Sequence, residues 1–186
     1  MKQKLRQHFE KIVSLTDTEF EFVSSFFEKK TFLKHQFLVQ ENNAVNYDFW
    51  IIEGLVKAYK TDTNGKLHIL QFAMEDWWIT DYRAYFNQTL SNLNIDCLEN
   101  TQVYCLSLEN REKICNEIQQ MNTFFRKKTS KGYVALQQRI LSMLTSKAKE
   151  RYEEFLQLYP SLPNRLPKHI IASYLGVSRE TLSRLY

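Results

Sequence analysis

The fold is decided by the last stretch of the chain, residues 166–186, which reads LPKHIIASYLGVSRETLSRLY. The order of its residue types predicts two short helices joined by a tight turn. Pro167 suits the first turn of a helix, where the missing N–H removes no hydrogen bond. Gly176 stands where helices commonly end in a left-handed residue. Ser178 is a favourable N-cap for a second helix, and Glu180 follows in its first turn, where the helix dipole favours an acid.

Apolar residues occupy one side of both predicted helices. That side comprises Ile171, Ala172, Leu175, Leu182 and Leu185. Arg179, Ser183 and Arg184 project from the other side of the second helix. A helix, a glycine turn and a polar-faced helix form the helix-turn-helix pattern, whose second helix enters the DNA major groove. The plainer interpretation is a solvated polar face, with Glu180 and Arg184 paired within the helix.

The run ASYLGVSRETLSR, residues 172–184, resembles the helix-turn-helix of the Crp/Fnr family of bacterial transcription regulators. The resemblance implies that residues 178–186 form a recognition helix in the major groove. It also implies base contacts from Arg179, Glu180 and Arg184, and phosphate contacts from Ser178 and Ser183. Arginine can bond bidentately to guanine and glutamate can accept from cytosine, whereas phosphate contacts only position the protein.

Length and composition are those of an ordinary globular protein. The chain has 186 residues, of which 44% are hydrophobic and 25% charged, enough for one large or two small domains. Neither a signal peptide nor a stretch of about 20 apolar residues is present, so we expect a cytoplasmic protein without a membrane partner. Cys97, Cys105 and Cys115 are widely spaced, which argues against disulfides and against a zinc or iron–sulfur motif.

Charge is distributed unevenly along the chain. Residues 126–186 contain twelve Lys or Arg and four Asp or Glu, whereas residues 1–125 contain thirteen and seventeen. An acidic N-terminal part and a basic C-terminal part favour polyanion binding by the latter. A helix with solvated lysines would give the same balance, so the distribution supports this interpretation without proving it.

The middle of the chain changes to short aromatic and β-branched segments. They are separated by turn signals such as Asn64-Gly65, a strong hairpin marker. This pattern predicts an antiparallel barrel or jelly roll, and it resembles the double-stranded β-helix of cyclic-nucleotide-binding proteins. We therefore expect an α+β fold: a jelly-roll sensor domain (1–120), a long dimerisation helix (121–137) and an all-α helix-turn-helix domain (138–186). A helix over Thr18–Phe27 is expected to pack at the front of the sheet domain.

The phosphate-binding cassette that this resemblance implies is missing. Residues 77–86 contain no glycine, residues 90–95 contain no arginine, and Arg83 is displaced from the expected position. We expect no cyclic AMP binding and no cofactor, and residues that would bind an effector stay unknown. Any pocket here would be lined by aromatic residues that we mostly assign to the core: Trp77, Trp78, Tyr82, Tyr85 and Phe86.

Helical periodicity returns after Ser107. It predicts helices over residues 108–118, 122–138 and 138–159, with a hinge at 135–139 and little room for strands between Pro160 and Leu166. Small residues such as Gly132 would let the long helix pair closely with a second copy, although it could instead pack only on its own sensor domain. A homodimer implies a near-palindromic double-stranded DNA site, with half-sites about 34 Å apart. RNA polymerase and an unidentified small-molecule effector are the further implied partners.

No catalytic constellation is visible. The four histidines are scattered, and the sequence contains neither a nucleophile elbow nor a Walker or dinucleotide-binding loop. We therefore expect no catalytic residues, no bound metal and no enzymatic activity. The competing hypothesis is a small-molecule or protein-interaction sensor whose helix-turn-helix only packs and does not bind DNA.

Overall fold

The computed structural model describes residues 2–184 of the chain. Within these residues it contains nine helices and eight strands. In chain order they are α1 (Lys2–Glu10), α2 (Asp17–Ser25), β1 (Glu28–Phe32), β2 (Phe37–Val39), β3 (Asp48–Glu53), β4 (Val56–Thr61), β5 (Leu67–Ala73), β6 (Trp78–Ile79), α3 (Tyr82–Asn87), β7 (Asn94–Cys97), β8 (Thr101–Leu106), α4 (Leu108–Glu117), α5 (Gln119–Thr145), α6 (Ala148–Leu158), α7 (Leu162–Arg165), α8 (Lys168–Leu175) and α9 (Arg179–Ser183).

The strands form two four-stranded sheets, in the orders β1-β8-β3-β6 and β2-β7-β4-β5. The pairings β1–β8, β3–β8, β3–β6, β2–β7 and β4–β7 are antiparallel. Inward-facing residues of both sheets share one core, which includes Phe49, Ile51, Val56, Ala58, Ile95, Cys97, Val103 and Cys105. The predicted jelly-roll architecture within an α+β fold is thus confirmed, and the alternation of apolar side chains determines which face of each strand enters the core.

A second core lies on the opposite face of β3. Because successive side chains of a strand point to opposite faces, Phe49 and Ile51 enter the core between the sheets while Trp50 and Ile52 face the helices. The helical residues that cover them include Leu5, Phe9, Phe20, Val23, Ile114, Met121 and Phe124. The predicted helix near residue 18 is α2, and a capping box between Thr16 and Glu19 fixes its start.

The chain divides into two compact units. One contains residues up to Tyr59 together with Phe72–Thr129, and the other contains Lys60–Gln71 together with residues from Ser130 onward. The hairpin between β4 and β5 therefore groups with the C-terminal helices. No helix within residues 2–184 is both long and apolar enough to span a membrane.

The long helix α5 differs from the expectation. It runs unbroken through residues 135–139, so the predicted boundary between two helices at Gln138 is wrong. The interruption comes at Ser146–Lys147, inside the helix predicted for residues 138–159. Residues 135–139 hold good helix formers and no proline or glycine. At the break, the carboxylate of Glu150 accepts the Lys147 N–H at 2.7 Å and starts α6. Residues 162–165 form the short helix α7 instead of strands, as expected from the limited room.

Candidate nucleic-acid interface

Helix α8 forms the buried support of the C-terminal hairpin of helices. Its buried residues are Ile170, Ile171, Ala172, Tyr174 and Leu175. The ring of Tyr174 lies 5.5 Å from that of Phe155 on α6, measured between centroids. Aromatic pairs at this distance add to the free energy of apolar burial. The apolar residues predicted from the periodicity of the sequence are therefore buried, and they hold α8 in place ahead of the turn and α9.

The turn after α8 is the one predicted from Gly176. This glycine is left-handed, with φ 70° and ψ 29°, and its N–H donates to the carbonyl of Ala172. The Val177 N–H donates to the same carbonyl at 3.0 Å. A β-carbon at position 176 would lie 2.9 Å from the terminal methyl of Met143. Both the backbone conformation and the close approach thus favour glycine.

Helix α9 begins immediately after the turn. The Ser178 Oγ accepts the Thr181 N–H at 3.1 Å, which confirms the predicted N-cap. Leu182 is fully buried and anchors the helix to its support. The described part of the predicted recognition helix is Arg179–Ser183 with Arg184 as its C-cap. Leu185 and Tyr186, which the sequence also places in this helix, lie outside the described residues.

The side chains predicted to contact DNA lie together on the exposed face of α9. Arg179, Glu180, Ser183 and Arg184 line one open depression. Hydrogen bonds from its own backbone N–H and from Ser178 lower the pKa of Glu180, and the charges of Arg179 and Arg184 act in the same direction. The carboxylate is therefore an ionised acceptor flanked by two cationic donors. Such a face can pair with base edges that carry both acceptors and donors.

Arg151 is a supporting residue that sequence reasoning missed. The last carbonyls of a helix lack partners within it, and the Nε of Arg151 donates to the carbonyl of Leu175 at 3.1 Å. Its Nη1 donates to the carbonyl of Ser146 at 2.5 Å. Arg151 thus ties the end of α8 to the break between α5 and α6. Its position on an amphipathic helix gave no signal of this contact.

The segment after β6, where the family resemblance implied a cassette, uses its polar groups internally. Asp81 is the N-cap of α3 and accepts the Ala84 N–H at 3.1 Å. Its other oxygen accepts from the Ser91 hydroxyl at 2.9 Å and from the Asn92 N–H at 3.3 Å. The Nη2 of Arg83 donates to the carbonyl of Leu90 at 2.9 Å. A buried carboxylate, instead of an exposed cation, therefore occupies the centre of this segment.

The aromatic residues of the same segment are mostly core residues, as expected. Tyr85 is fully buried, and Trp77 and Trp78 pack against the two cores. Tyr82 and Phe86 differ, because they are 41% and 45% exposed and lie with their ring planes only 20° apart. The sequence pattern could not separate the exposed pair from the buried residues, since all are aromatic and closely spaced.

A buried acid lies behind this aromatic pair. Asp48 is 2% exposed and accepts from Arg111 at 3.3 Å and from the Tyr82 hydroxyl at 3.5 Å. Burial raises the pKa of Asp48 to about 7, against the opposing effect of the Arg111 charge. The carboxyl group consequently changes its charge close to neutral pH.

Comparison with known proteins identifies the N-terminal part first. Residues 29–117 match the model of the cyclic nucleotide-binding domain. This part of the chain is therefore similar to that domain, in agreement with its two four-stranded sheets. No curated protein sequence matches the chain.

Solved structures extend the likeness to most of the chain. FixK2 from Bradyrhizobium japonicum matches with a TM-score of 0.74 and 18% identity, over 86% of this chain and 82% of that one. A CooA mutant from Carboxydothermus hydrogenoformans matches with a TM-score of 0.70 and 20% identity, over 88% and 76%. A Crp/Fnr-family regulator from Eubacterium rectale gives 0.70 and 14%, over 92% and 82%. The chain thus has the fold of Crp/Fnr regulators, and the resemblance inferred from its last residues is confirmed at that level.

Proposed function

We propose that this chain is a Crp/Fnr-type transcription regulator that binds double-stranded DNA as a homodimer. The observation that carries the proposal is the exposed face of α9, where two arginines flank an ionised glutamate on a buried support. The shared fold supports the same assignment. A cytoplasmic, non-enzymatic role and contact with RNA polymerase belong to the same proposal.

Each side chain of this face has a role that its chemistry permits. Arg179 and Arg184 would bond to the O6 and N7 atoms of guanine, and Glu180 would accept from the N4 amino group of cytosine. Ser183 would donate to a phosphate. The Ser178 oxygen accepts the Thr181 N–H, and its hydroxyl proton, which is hydrogen-bonded to Glu180 in the free chain, would turn to a phosphate in the complex.

The second half of α5 supports the homodimer. Four apolar residues at helical spacing follow one another along one face and are more than half exposed: Tyr133 at 66%, Leu136 at 52%, Ile140 at 52% and Leu144 at 78%. Spacings of three and four residues are those of helix pairing. Gly132 has nothing within 4 Å of the position of an added β-carbon, so a second backbone could approach there. The stripe extends past residue 137, where the sequence placed the end of the dimerisation helix.

The sensor domain would take an effector other than a cyclic nucleotide. In the segment after β6, the Asp81 carboxylate holds Ser91 and Asn92, and Arg83 is bound to a carbonyl. A cyclic phosphate entering this segment would meet the like charge of Asp81, while the Arg83 guanidinium is held by a carbonyl, and both features disfavour binding. Calorimetric titration with cyclic AMP and cyclic GMP tests this, and micromolar binding of either would overturn it.

Selection from a random DNA pool tests the DNA-reading role. The wild-type chain should enrich a near-palindromic sequence. Arg179→Ala should lose about 1–3 kcal/mol at that sequence and relax specificity at one base pair of each half-site, because one bidentate contact is removed. Arg126→Ala is the matched control, since Arg126 is an exposed arginine on α5 outside the depression. Failure to enrich any sequence, or an unchanged preference in Arg179→Ala, would contradict the proposal.

A further inference from the structure

The end of α8 is held by a second arginine, Arg139 of α5. Its Nη2 donates to the carbonyl of Tyr174 at 2.8 Å, one of the last carbonyls of α8. The carbon atom at the centre of the guanidinium lies 3.6 Å from the centroid of the Tyr174 ring. Hydrogen bonding and cation–π attraction thus act on the same residue of α8.

The same guanidinium also binds strand β5. The Nε of Arg139 donates to the carbonyl of Leu70, and Nη2 donates to the carbonyl of Ile69, both at 2.8 Å. Ile69 and Leu70 lie in the hairpin segment that groups with the C-terminal helices in one compact unit. One side chain therefore bridges three carbonyls that belong to a strand and to the helix preceding the recognition turn.

This bridge requires arginine. A guanidinium has five N–H donors in a rigid planar fork and keeps its charge at all relevant pH values, whereas an ammonium is a compact point charge. A lysine would retain the charge, but all of its donors extend from one nitrogen atom and lack the planar fork. It could not hold the two elements in one geometry and stack on the tyrosine ring in the same way.

We propose that Arg139 is a positioning residue for DNA reading, because it fixes the end of α8, and through the Gly176 turn the direction of α9, against strand β5. The inference rests on the proposed function. If Arg139 has this role, the β4–β5 hairpin helps to hold the recognition helix α9 in its orientation. A displacement of Ile69 and Leu70 would then be passed to α9 through the Arg139 guanidinium.

Arg151 and Arg139 both bind the end of α8, but they connect it to different parts of the chain. Arg151 caps Leu175 and reaches Ser146, both in the C-terminal helical segment. Arg139 caps the neighbouring residue and in addition reaches β5. Loss of Arg151 should weaken α8 alone, whereas loss of Arg139 should loosen α8 and β5 together.

The test compares Arg139→Lys and Arg139→Gln with Arg126→Gln, which removes the same charge from an exposed position of α5. The affinity for the selected DNA sequence should fall about tenfold or more in both Arg139 variants, since hydrogen bonds from a charged donor are lost. Affinity for unrelated DNA should stay at the wild-type value in Arg139→Lys, which keeps the charge. Hydrogen–deuterium exchange should become faster both in residues 67–71 and in residues 172–178 of the Arg139 variants. Arg126→Gln should show neither the loss of preference nor the faster exchange.

Two outcomes separate this inference from the proposed function. If the wild-type chain binds its selected sequence and Arg139→Lys retains the same affinity and preference, the positioning role is wrong while DNA reading stands. If the wild-type chain selects no DNA, the proposed function fails. Hydrogen–deuterium exchange is then the only test of whether Arg139 holds α8 and β5 together. Faster exchange in both segments of Arg139→Lys then supports the bridge, and unchanged exchange overturns it.

Discussion

Replacement of Gly176 by alanine tests the turn between α8 and α9. The residue has a φ of 70°, and its N–H and that of Val177 both donate to Ala172. An alanine in this left-handed conformation costs about 1–2 kcal/mol. Its β-carbon would also lie 2.9 Å from the terminal carbon of Met143, so that side chain must move.

The contact with Met143 should add less than the backbone cost. Methionine is flexible, and a distorted side-chain torsion costs on the order of 0.5–1.5 kcal/mol. Gly176→Ala should therefore lower the free energy of unfolding by about 1.5–3.5 kcal/mol in total. Gly65→Ala is the matched control, because Gly65 lies in the same unit with a φ of 78° and has nothing within 4 Å of an added β-carbon. It should show the backbone cost alone.

Equilibrium urea unfolding, followed by far-UV circular dichroism, measures both variants. The excess loss in Gly176→Ala over Gly65→Ala reports the Met143 contact. A stabilising effect of about 0.8–1.0 kcal/mol, as found when glycine is replaced within a right-handed helix, would refute the assigned turn. A loss in Gly65→Ala equal to that in Gly176→Ala would refute the steric part of the reasoning.

Two further predictions concern the buried acid and the dimer. The folded Asp48 carboxyl keeps its proton up to a pKa of about 7, far above its ordinary value of 3.8; its contribution to stability is therefore complete below pH 3.8 and lost as the pH rises through 7. Asp48→Asn should flatten this loss in urea unfolding between pH 3.8 and about pH 7, and parallel curves for variant and wild type would contradict it. Gly132→Ala should stabilise the isolated chain by about 1 kcal/mol, because alanine is the better helix former, yet weaken the homodimer in sedimentation equilibrium by keeping two α5 backbones apart. An unchanged dimer constant would exclude Gly132 from the interface.

Local signals in the sequence were sufficient for the recognition hairpin and the sheets. Gly176 and Ser178 act through their own φ angle and their own hydroxyl, so their residue types predict the turn and the cap. Gly65 similarly closes the β4–β5 hairpin, where its N–H donates to Asp62 at 3.0 Å. Each of these features depends on residues a few positions apart, which a pattern can contain.

Features that depend on distant residues could not be predicted. Arg139 reaches carbonyls 35 and 70 positions away in the chain, and Asp81 binds a hydroxyl ten positions on. The sequence also predicted the break between α5 and α6 at the wrong position, for a related reason. Lys147 is not a residue type that marks an N-cap, so only Glu150 signalled the new start.

The central claim is that the polar face of α9 reads DNA. The most direct test is the ratio of affinities for the selected duplex and a scrambled duplex of the same length, at one fixed salt concentration. Arg179→Ala combined with Arg184→Ala should bring this ratio close to one, while binding to both duplexes still weakens steeply with added salt. A ratio that stays at the wild-type value would show that other residues read the sequence. Wild-type binding that is absent or insensitive to salt would instead favour a sensor whose helix-turn-helix only packs.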